Sequence, residues 1–321
     1  MANYPKQMKA AYYTEYGGPE VIKIGEIATP IPDPDQLIVK VAATSFNAFD
    51  AYLRMGGLGE VSFPHIPHID FGGIVVSVGE NVDKFNVGDR VFGAQMLNFF
   101  RDSCAAEYVA VNPDEIPIAK APKSLSLVDC AALPAVSLTA YQGIVDHCKL
   151  QKDQKIFISG AAGGVGSMAI QFAKLQGACV IGSDSADAMD IMRTLGADEV
   201  MDYKTDTLDA YAPEKVDAIY NIAPVPSEAV TQLLYHVKKG GILVSTLNPA
   251  DEAVAEACGV NAMCMAVAVN SERLNMFAQM VDQGKIKPYI TGYYPLEEVV
   301  AFNTAAMSSH GKLILVVDET L

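Results

Sequence analysis

The sequence contains a glycine-rich turn that connects an apolar segment to a helical one. The turn consists of Gly160, Ala161, Ala162, Gly163, Gly164, Val165 and Gly166. Glycines allow the backbone to turn tightly and to approach a pyrophosphate, and the helix that follows offers N–H groups and the positive end of its dipole. Because an apolar strand precedes the turn and a helix follows it, the pattern predicts a dinucleotide-binding site.

Two carboxylates after the second predicted strand bear on the choice of dinucleotide. Asp184 lies 18 residues beyond Gly166, where an acidic side chain typically binds the adenosine ribose 2′-hydroxyl and repels a 2′-phosphate. Asp187 follows in a turn that carries no lysine. This charge pattern favours NADH. The alternative is that both carboxylates only stabilise the N-terminus of a helix.

The elements that position these residues change character near residue 125. Before it, short β-rich segments alternate with turns, which predicts a small barrel or sandwich. From residue 155 onward, apolar strands alternate with helix-length segments, which is typical of a doubly wound parallel sheet. The predicted strands are residues 9–13, 37–43, 74–78, 90–92, 108–111, 155–159, 180–182, 216–222, 241–247, 263–269 and 312–317.

Composition limits the classes of partner. The 321 residues carry 23 Lys+Arg against 38 Asp+Glu, so the net charge of −15 disfavours nucleic acid and anionic membranes. The six cysteines form no C-x-x-C pair, which indicates reduced thiols rather than a disulfide framework or a zinc knuckle. Neither a signal-like segment nor a membrane-length apolar run is present, so we expect a cytoplasmic protein.

Several segments resemble the medium-chain dehydrogenase/reductase superfamily, and more narrowly its zinc-free quinone oxidoreductase (zeta-crystallin-like) branch. They are NAFD (47–50), DFGGIV (70–75), LPAVSLTAYQ (133–142), the glycine turn, LGADEV (195–200) and GKLI (311–314). The resemblance implies an α/β protein with a GroES-like β-barrel domain over 1–125 and a Rossmann-type doubly wound parallel sheet domain over 126–270. Residues 271–321 would then return to the first domain. It also implies a homodimer that pairs through the last Rossmann strand, about residues 259–269.

The resemblance also identifies positions where zinc-dependent members of the superfamily carry Cys, His and Cys. Asn47, Ile69 and Ala135 stand there, and none of them offers a thiolate or an imidazole. The pair His65 and His68 has no third ligand in view and is interpreted as ordinary loop histidines. Without a Lewis acid, a quinone or an α,β-unsaturated carbonyl is an easier hydride acceptor than a simple ketone, because the resulting charge is delocalised.

In this family the nicotinamide lies between the two domains, and the resemblance assigns residues to its pocket. Asn47 is expected to bind cofactor or substrate, and Tyr52 to orient a substrate oxygen or supply a proton. Asp50 lines the same pocket, and Thr139 matches a position at the nicotinamide ribose or carboxamide. The alternatives are helix capping for Asn47 and Asp50 and simple packing for Tyr52 and Thr139. Arg54 is interpreted as a surface or interdomain salt-bridge residue.

Further cofactor contacts rest on the resemblance alone. Ser185 and Tyr203 match two positions that contact the 2′-phosphate in NADPH-using quinone oxidoreductases, which opposes the NADH signal from Asp184. Ser183 and Lys312 complete the predicted cofactor-binding set. The cofactor therefore remains open between NADPH and NADH.

The sequence predicts a zinc-independent NAD(P)H-dependent oxidoreductase that transfers hydride to a quinone or an α,β-unsaturated carbonyl. Alternatives are an enoyl-thioester reductase, a metal-free alcohol dehydrogenase and, from another class, a non-catalytic NAD(P)H-binding sensor or partner-binding module. The intact glycine turn together with Asn47 and Tyr52 favours turnover. The irregular segments 55–62 and 96–102 are expected to form the substrate pocket.

We expect activity to be independent of metal, because the residue types at the three zinc-ligand positions cannot bind zinc. Metal analysis of the purified protein should show no stoichiometric zinc, and prolonged chelator treatment should leave turnover unchanged. Stoichiometric zinc, with activity that the chelator removes and added zinc restores, would contradict this.

Overall fold

The computed structural model describes residues 4–96 and 103–321, so most of the predicted pocket segment 96–102 lies outside the described residues. Within these ranges the strands are β1 (Gln7–Tyr12), β2 (Lys23–Ala28), β3 (Leu37–Ser45), β4 (Asp70–Val78), β5 (Arg90–Ala94), β6 (Tyr108–Val111), β7 (Ile118–Lys120), β8 (Lys155–Ser159), β9 (Cys179–Asp184), β10 (Glu199–Asp202), β11 (Val216–Asn221), β12 (Val237–Ser245), β13 (Asn261–Cys264), β14 (Ile290–Pro295) and β15 (Lys312–Val316).

The α-helices in the same ranges are α1 (Ala48–Arg54), α2 (Leu127–Cys130), α3 (Pro134–Tyr141), α4 (Gly164–Leu175), α5 (Met189–Leu195), α6 (Leu208–Tyr211), α7 (Ser227–Leu233), α8 (Glu252–Cys258), α9 (Ser271–Asp282) and α10 (Val299–Ala306). A π-helical segment, Gln142–Cys148, continues α3. Among the described residues, none of the helices has the length and apolar character that crossing a bilayer requires.

The chain divides into two compact units. Unit 1 comprises Met1–Ala135 and Val269–Leu321, and unit 2 comprises Val136–Ala268. This division falls ten residues after the boundary predicted at 125/126. The reason is that α2 packs on β4: a side chain at Gly72 would lie 2.1 Å from the carbonyl oxygen of Leu127. The backbone of α2 thus needs a glycine beneath it, and this contact keeps residues 126–135 with unit 1.

Unit 1 is built on a sheet with strand order β14-β15-β3-β4-β5-β7, in which β6 also pairs with β3. All of its strand pairs are antiparallel except β14 with β15. Nearly every residue of β3 is buried, because strands and helices cover both of its faces. The short strands agree with the β-rich first third of the sequence, and β14 and β15 supply the C-terminal return that the resemblance implies.

Unit 2 is a parallel sheet with strand order β10-β9-β8-β11-β12-β13. In chain order this is 3-2-1-4-5-6, the arrangement of a Rossmann fold, so the predicted doubly wound parallel sheet is confirmed. The order reverses between β8 and β11, and ligands of such sheets bind beyond the carboxyl ends of the strands at that point. The glycine turn leaves the carboxyl end of β8.

Several strand predictions differ from the structure. The last Rossmann strand was predicted over 263–269, whereas β13 covers only Asn261–Cys264. The predictions missed β2, β10 and β14 altogether, and also the three-residue strand β7. In β2 and β14 half-buried residues alternate with exposed ones, and β10 is four residues long with a charge at each end, so none of them is a continuous apolar run.

The six cysteines are not joined by disulfides in this structure, and Cys104, Cys130 and Cys148 are buried. Burial raises the pKa of Cys130 and that of Cys148 to about 12. These two thiols are therefore protonated at neutral pH and pack as small apolar groups.

His65 lies in the irregular segment between α1 and β4, as predicted for a loop histidine, and it is fully buried in unit 1. Its backbone exchanges two hydrogen bonds of 2.9 Å with Tyr13, and its ring packs edge-on against the Tyr13 ring at 5.1 Å. Within the described chain neither ring nitrogen has a hydrogen-bond partner. Burial lowers the pKa of His65 to about 4, because an imidazolium there would lose its hydration without compensation.

This buried ring makes stability depend on pH. Since the pKa of His65 falls from its unfolded value of about 6.5 to about 4, its contribution is complete above pH 6.5 and is lost as the pH falls toward 4. Between pH 7.5 and pH 5 the loss should be about 2 kcal/mol. Urea unfolding of the wild type and of His65→Met at both pH values measures it. An equal pH dependence in the two proteins would contradict this origin.

Candidate active site

The glycine turn of unit 2 is closed by its own backbone. The N–H groups of Gly160 and Ala161 both donate to the Ser183 carbonyl oxygen, at 3.0 and 3.1 Å. Gly160 has a φ of +70°, which favours glycine. A side chain at Gly166 would lie 2.2 Å from the Gly160 carbonyl oxygen, so the first turn of α4 packs directly on the strand exit. Gly160 and Gly166 are thus required by the geometry of the turn.

Gly163 leaves space for a ligand. A side chain at Gly163, the residue before α4, would meet only the Gly160 carbonyl oxygen, at an ordinary contact distance of 3.4 Å. The first-turn N–H groups of an α-helix have no intrahelical acceptors. Those of Gly164 and Val165 therefore border an open, electropositive space of the kind that binds a pyrophosphate. The residues present fit a dinucleotide.

Asp184 holds the glycine turn to β9. Its Oδ2 accepts the Ala162 N–H at 3.0 Å, and its Oδ1 accepts the Ser185 N–H at 2.9 Å. Two backbone donors therefore already share the carboxylate charge that the sequence analysis directed at a ribose hydroxyl. Because of these two hydrogen bonds, Asp184 is weaker evidence for NADH than its position in the sequence suggests.

A polar row that the sequence analysis missed lies at the carboxyl ends of three adjacent strands. The Ser159 hydroxyl at the end of β8 donates to Asn221 Oδ1 at the end of β11. Asn221 Nδ2 donates in turn to Ser245 Oγ at the end of β12, at 3.2 Å. The row fixes the strand ends on either side of the reversal in strand order. Its sequence signal is a single polar residue ending each apolar run.

Thr139 lies half-buried on α3, in unit 2. Its carbonyl oxygen accepts the Tyr220 hydroxyl at 3.0 Å. Burial raises the pKa of Tyr220, so this phenol stays protonated and can donate. The ring reaches the helix because Gly143 has no side chain, and one would lie 2.3 Å from Tyr220 Cζ. The contact anchors the helix that carries Thr139 to β11.

In unit 1 four groups surround the buried carboxylate of Asp70, which is 0% exposed. It accepts hydrogen bonds from Ser45 Oγ at 2.9 Å, Asn47 Nδ2 at 2.8 Å and the Ala135 N–H at 2.9 Å. Lys312 Nζ lies 3.5 Å away and completes an ion pair. We call these five residues the Asp70 cluster. It consists of one buried anion, one buried cation and the donors between them.

Lys312 supports Asn47 from within unit 1. Its Nζ donates to the Phe46 carbonyl oxygen at 2.5 Å and to Asn47 Oδ1 at 3.0 Å, and the side chain is 3% exposed. The predicted cofactor-binding role of Lys312 is corrected accordingly, since its ammonium is committed to these buried acceptors. Burial raises the pKa of Asp70 and lowers that of Lys312, and their attraction opposes both shifts.

Asp50 has a capping role. It accepts the backbone N–H of Asn47 at 2.8 Å, so it caps the N-terminus of α1. The same Oδ2 lies 3.3 Å from His68 Nδ1, and both side chains are buried. The capping alternative of the sequence analysis therefore describes both residues, since Asn47 is the N-cap of α1 and forms a capping box with Asp50. The Asn47 amide nitrogen in addition donates to Asp70.

Behind Asp50, a buried network joins α1 to α10. Arg54 Nη1 donates to Asn303 Oδ1 at 2.9 Å, so the Asn303 amide nitrogen faces His68 Nε2, at 3.2 Å. His68 Nε2 must then accept, which places the ring proton on Nδ1, facing Asp50. The interpretation of Arg54 as a surface or interdomain salt-bridge residue is wrong. His68 lies in the irregular segment before β4, as predicted, but its side chain is buried. Both side chains are at most 1% exposed.

Tyr52, the predicted proton donor, is 57% exposed on α1. The loop after α1 passes directly beneath its ring, where a side chain at Gly57 would lie 2.7 Å from Tyr52 Cδ1. The Tyr16 hydroxyl fixes that loop by accepting the Val61 N–H at 3.1 Å. Other exposed apolar side chains on this face of unit 1 are Tyr16, Met55, Leu58 and Phe63. The phenol is accessible within a largely apolar surface.

The predicted zinc-ligand positions are neighbours within unit 1. The Asn47 amide and the Ala135 N–H both bind Asp70, and the buried Ile69 precedes it in the chain. Among residues 4–96 and 103–321, no group of three His, Cys, Asp or Glu side chains is arranged to bind a metal ion. The hydrogen bonds of the Asp70 cluster join these positions instead.

Comparison with known proteins gives matches along the whole chain. The model of the alcohol dehydrogenase GroES-like domain matches residues 33–123, and that of the zinc-binding dehydrogenase matches residues 164–254. The 2-methylene-furan-3-one reductase of Solanum lycopersicum is 32% identical over 307 residues, which are 92% of this chain and 75% of that protein. The chloroplastic NADPH-dependent alkenal/one oxidoreductase of Arabidopsis thaliana is 30% identical, covering 98% of this chain and 81% of that protein.

The fold comparison agrees. The solved structure of the quinone oxidoreductase from Coxiella burnetii superimposes with a TM-score of 0.88 at 28% sequence identity. The match covers 97% of this chain and 100% of that one.

The Asp70 cluster should show strong energetic coupling. Lys312→Met leaves a buried carboxylate unpaired and should cost about 3–5 kcal/mol of unfolding free energy, and adding Asp70→Asn should recover part of that loss. The exposed pair Lys84 and Asp114, 2.5 Å apart, is the control, and its two substitutions should be nearly additive because solvent screens them. Urea unfolding of each set measures the coupling. Additive losses at Lys312 and Asp70 would contradict a coupled pair.

Proposed function

Because this chain belongs to the medium-chain dehydrogenase/reductase superfamily, in its zinc-free quinone oxidoreductase branch, we propose that it is an NADPH-dependent reductase of quinones or α,β-unsaturated carbonyls. The observation that carries the proposal is the Asp70 cluster. In this cluster, two of the three positions that hold zinc ligands elsewhere in the superfamily, Asn47 and Ala135, are joined by hydrogen bonds to Asp70. The Asn47 amide is the partly exposed group of the cluster.

Such a site favours acceptors that delocalise charge. The side chains of Asn47, Ile69 and Ala135 offer no thiolate or imidazole, so an alkoxide formed from a simple ketone would have to be stabilised by hydrogen bonds alone. A quinone or a conjugated carbonyl spreads the incoming charge over several atoms. Two relatives carry names of this chemistry, a methylene-furanone reductase and an alkenal/one oxidoreductase.

The residues of unit 2 would hold the cofactor. The glycine turn and the first turn of α4 would bind its pyrophosphate, and Ser183, Ser185 and Tyr203 lie at the adjoining strand ends. A bound nicotinamide cofactor supplies the hydride. NADPH is the better candidate because Asp184 is engaged by two backbone N–H groups and one relative is named as NADPH-dependent.

Two side chains of unit 1 would serve the reaction. Asn47 gives one amide N–H to Asp70 and its oxygen to Lys312, which leaves the second N–H for a ligand. Tyr52 keeps an exposed hydroxyl that can donate a hydrogen bond or a proton to the substrate oxygen. Both follow from the position of α1, which Asp50 caps and the buried network behind it anchors.

The surface around Tyr52 favours small uncharged substrates over enoyl thioesters of phosphorylated carriers. Large exposed apolar side chains, Tyr16, Met55, Leu58 and Phe63, lie in the chain segments next to Tyr52, and none of these four offers a cation to a phosphorylated carrier. Uncharged quinones and enones can bury apolar surface there without removing a charged group from water.

We also propose a homodimer in a reducing compartment, most simply the cytoplasm. The strand β13 is an edge of the unit 2 sheet, and no other strand of the described residues pairs with its outer side, which a second copy would cover. The six free cysteines agree with a reducing environment.

Tyr52→Phe tests the assignment of the proton or hydrogen-bond donor. The ring is retained, so folding and cofactor affinity should be unchanged, while turnover with a quinone or an enone should fall by roughly 10- to 1,000-fold. Tyr235→Phe, which removes an equally exposed hydroxyl in unit 2, is the control. Asn47→Ala should weaken both cofactor binding and turnover. Full activity in a well-folded Tyr52→Phe protein would overturn the assignment.

The class of reaction is tested by following NADPH oxidation against a panel of quinones, alkenals, enones, a simple ketone and an enoyl thioester. The proposal expects turnover with the conjugated, uncharged acceptors and little with the ketone. Preference for the thioester would favour that alternative, and NADPH binding without turnover on any acceptor would favour a sensor or partner-binding module.

A further inference from the structure

The orientation of the Asn303 amide is fixed from two sides. Asn303 lies on α10 and is fully buried. Its oxygen accepts Arg54 Nη1 at 2.9 Å, and its nitrogen donates to the Val299 carbonyl oxygen at 2.9 Å. A flipped amide would set its N–H groups against the guanidinium and its oxygen against that carbonyl. Because an arginine stays protonated at any physiological pH, this orientation does not change with pH.

The fixed amide restricts the protonation of His68. The Asn303 nitrogen also lies 3.2 Å from His68 Nε2. A neutral ring can accept a hydrogen bond there, whereas an imidazolium would bring an N–H of its own against the amide hydrogen. The ring has no room to turn away, because it is 1% exposed and packs edge-on against Phe302 at 5.3 Å. The His68 backbone has a φ of +71°, a left-handed conformation that residues other than glycine rarely adopt.

On the opposite side of the ring, Asp50 alone would favour an imidazolium, because a carboxylate attracts a cation. Its Oδ2 lies 3.3 Å from His68 Nδ1. The other charged or titratable groups that interact electrostatically with Asp50 are Arg54, Lys312, His65 and Tyr13. The first two are cations, and burial keeps the last two uncharged at pH 7. The Asn303 amide is therefore the group that opposes the carboxylate through direct contact with the ring.

A charged His68 ring would disturb the start of α1. Asp50 Oδ2 is shared unequally, at 2.8 Å from the Asn47 backbone nitrogen and 3.3 Å from His68 Nδ1. A charged donor binds a carboxylate more strongly and at a shorter distance than a neutral one does. An imidazolium would therefore draw Oδ2 away from the Asn47 N–H. That hydrogen bond caps the helix on which Tyr52 lies.

We propose that Asn303 is a positioning residue for the reaction. Its amide keeps the His68 ring neutral, and the Asp50 carboxylate is thereby left to hold the N-terminus of α1 in the geometry that turnover requires. The inference rests on the proposed function, which places Asn47 and Tyr52 in the reaction. In this state the network holds one cation, Arg54, and one anion, with two neutral side chains between them.

The test replaces the Asn303 amide by a carboxylate of the same shape. Asn303→Asp keeps an acceptor for Arg54 and offers His68 Nε2 an acceptor in place of a donor, so the ring should become an imidazolium at pH 7. Turnover with a quinone, relative to the wild type, should fall about 5- to 20-fold at pH 6.5, and the deficit should shrink toward pH 9 as the ring loses its second proton.

Two control variants separate this effect from a loss of packing or an added charge. Asn303→Leu keeps the volume without a donor or an acceptor, so any deficit in turnover should not vary with pH. Asn275 donates to the Ser271 carbonyl oxygen, four residues earlier on α9, at 3.1 Å, as Asn303 does to Val299 on α10, but it is exposed. Asn275→Asp removes the same kind of hydrogen bond and adds the same charge, and it should keep the wild-type pH profile.

The protonation of His68 can be read without turnover from the nitrogen resonances of ¹⁵N-labelled histidine. In the wild type the ring should carry a proton on Nδ1 and none on Nε2 from pH 6.5 to pH 8.5. In Asn303→Asp both nitrogens should be protonated at pH 7. The His68 signal is identified by its loss in His68→Asn, since asparagine tolerates the left-handed φ.

The outcomes distinguish this inference from the proposed function. A wild-type His68 ring protonated on Nε2 at pH 7 would overturn the inference, and so would equal pH profiles for Asn303→Asp and Asn303→Leu. A wild type that binds NADPH and turns over no acceptor would contradict the proposed function instead, while the nitrogen resonances would still decide the protonation of His68.

Discussion

The buried ion pair between Asp70 and Lys312 is the interaction on which the catalytic half of the structure depends. An unpaired charge at either position would be costly in a site without solvent, so each residue requires the other. Their shared neighbour is Asn47, which donates to Asp70 and accepts from Lys312. The amide is therefore held from both ends, and α1, which begins at the next residue, starts from a fixed point.

In unit 2 a carboxylate also joins separate segments, but its partners are backbone N–H groups. There Asp184 is shared between the glycine turn and the following residue, so the strand end and the phosphate-binding turn form one hydrogen-bonded body. A carboxylate that the spacing alone assigns to a ribose is thus also a structural clamp.

The sequence predicts what is local and leaves open what is not. The glycine turn, its strand and its helix follow from residue types close together in the chain. The parallel sheet follows from the alternation of apolar strands with helix-length segments. The partners of Asp70 and Arg54 could not be predicted, because Lys312 and Asn303 lie 242 and 249 residues away. His68 shows the same limit: its spacing from His65 suggests a metal pair, and only the fold reveals that Asp50 and Asn303 bind its ring.

The most direct measurement of the central claim is the destination of the hydride. Incubation with NADPH deuterated at nicotinamide C4, in each of the two stereochemical forms, and an α,β-unsaturated ketone should yield a saturated ketone. Nuclear magnetic resonance should locate deuterium from one of the two forms at the β-carbon. Deuterium at the carbonyl carbon of an allylic alcohol, or no deuterium in any product, would contradict the account.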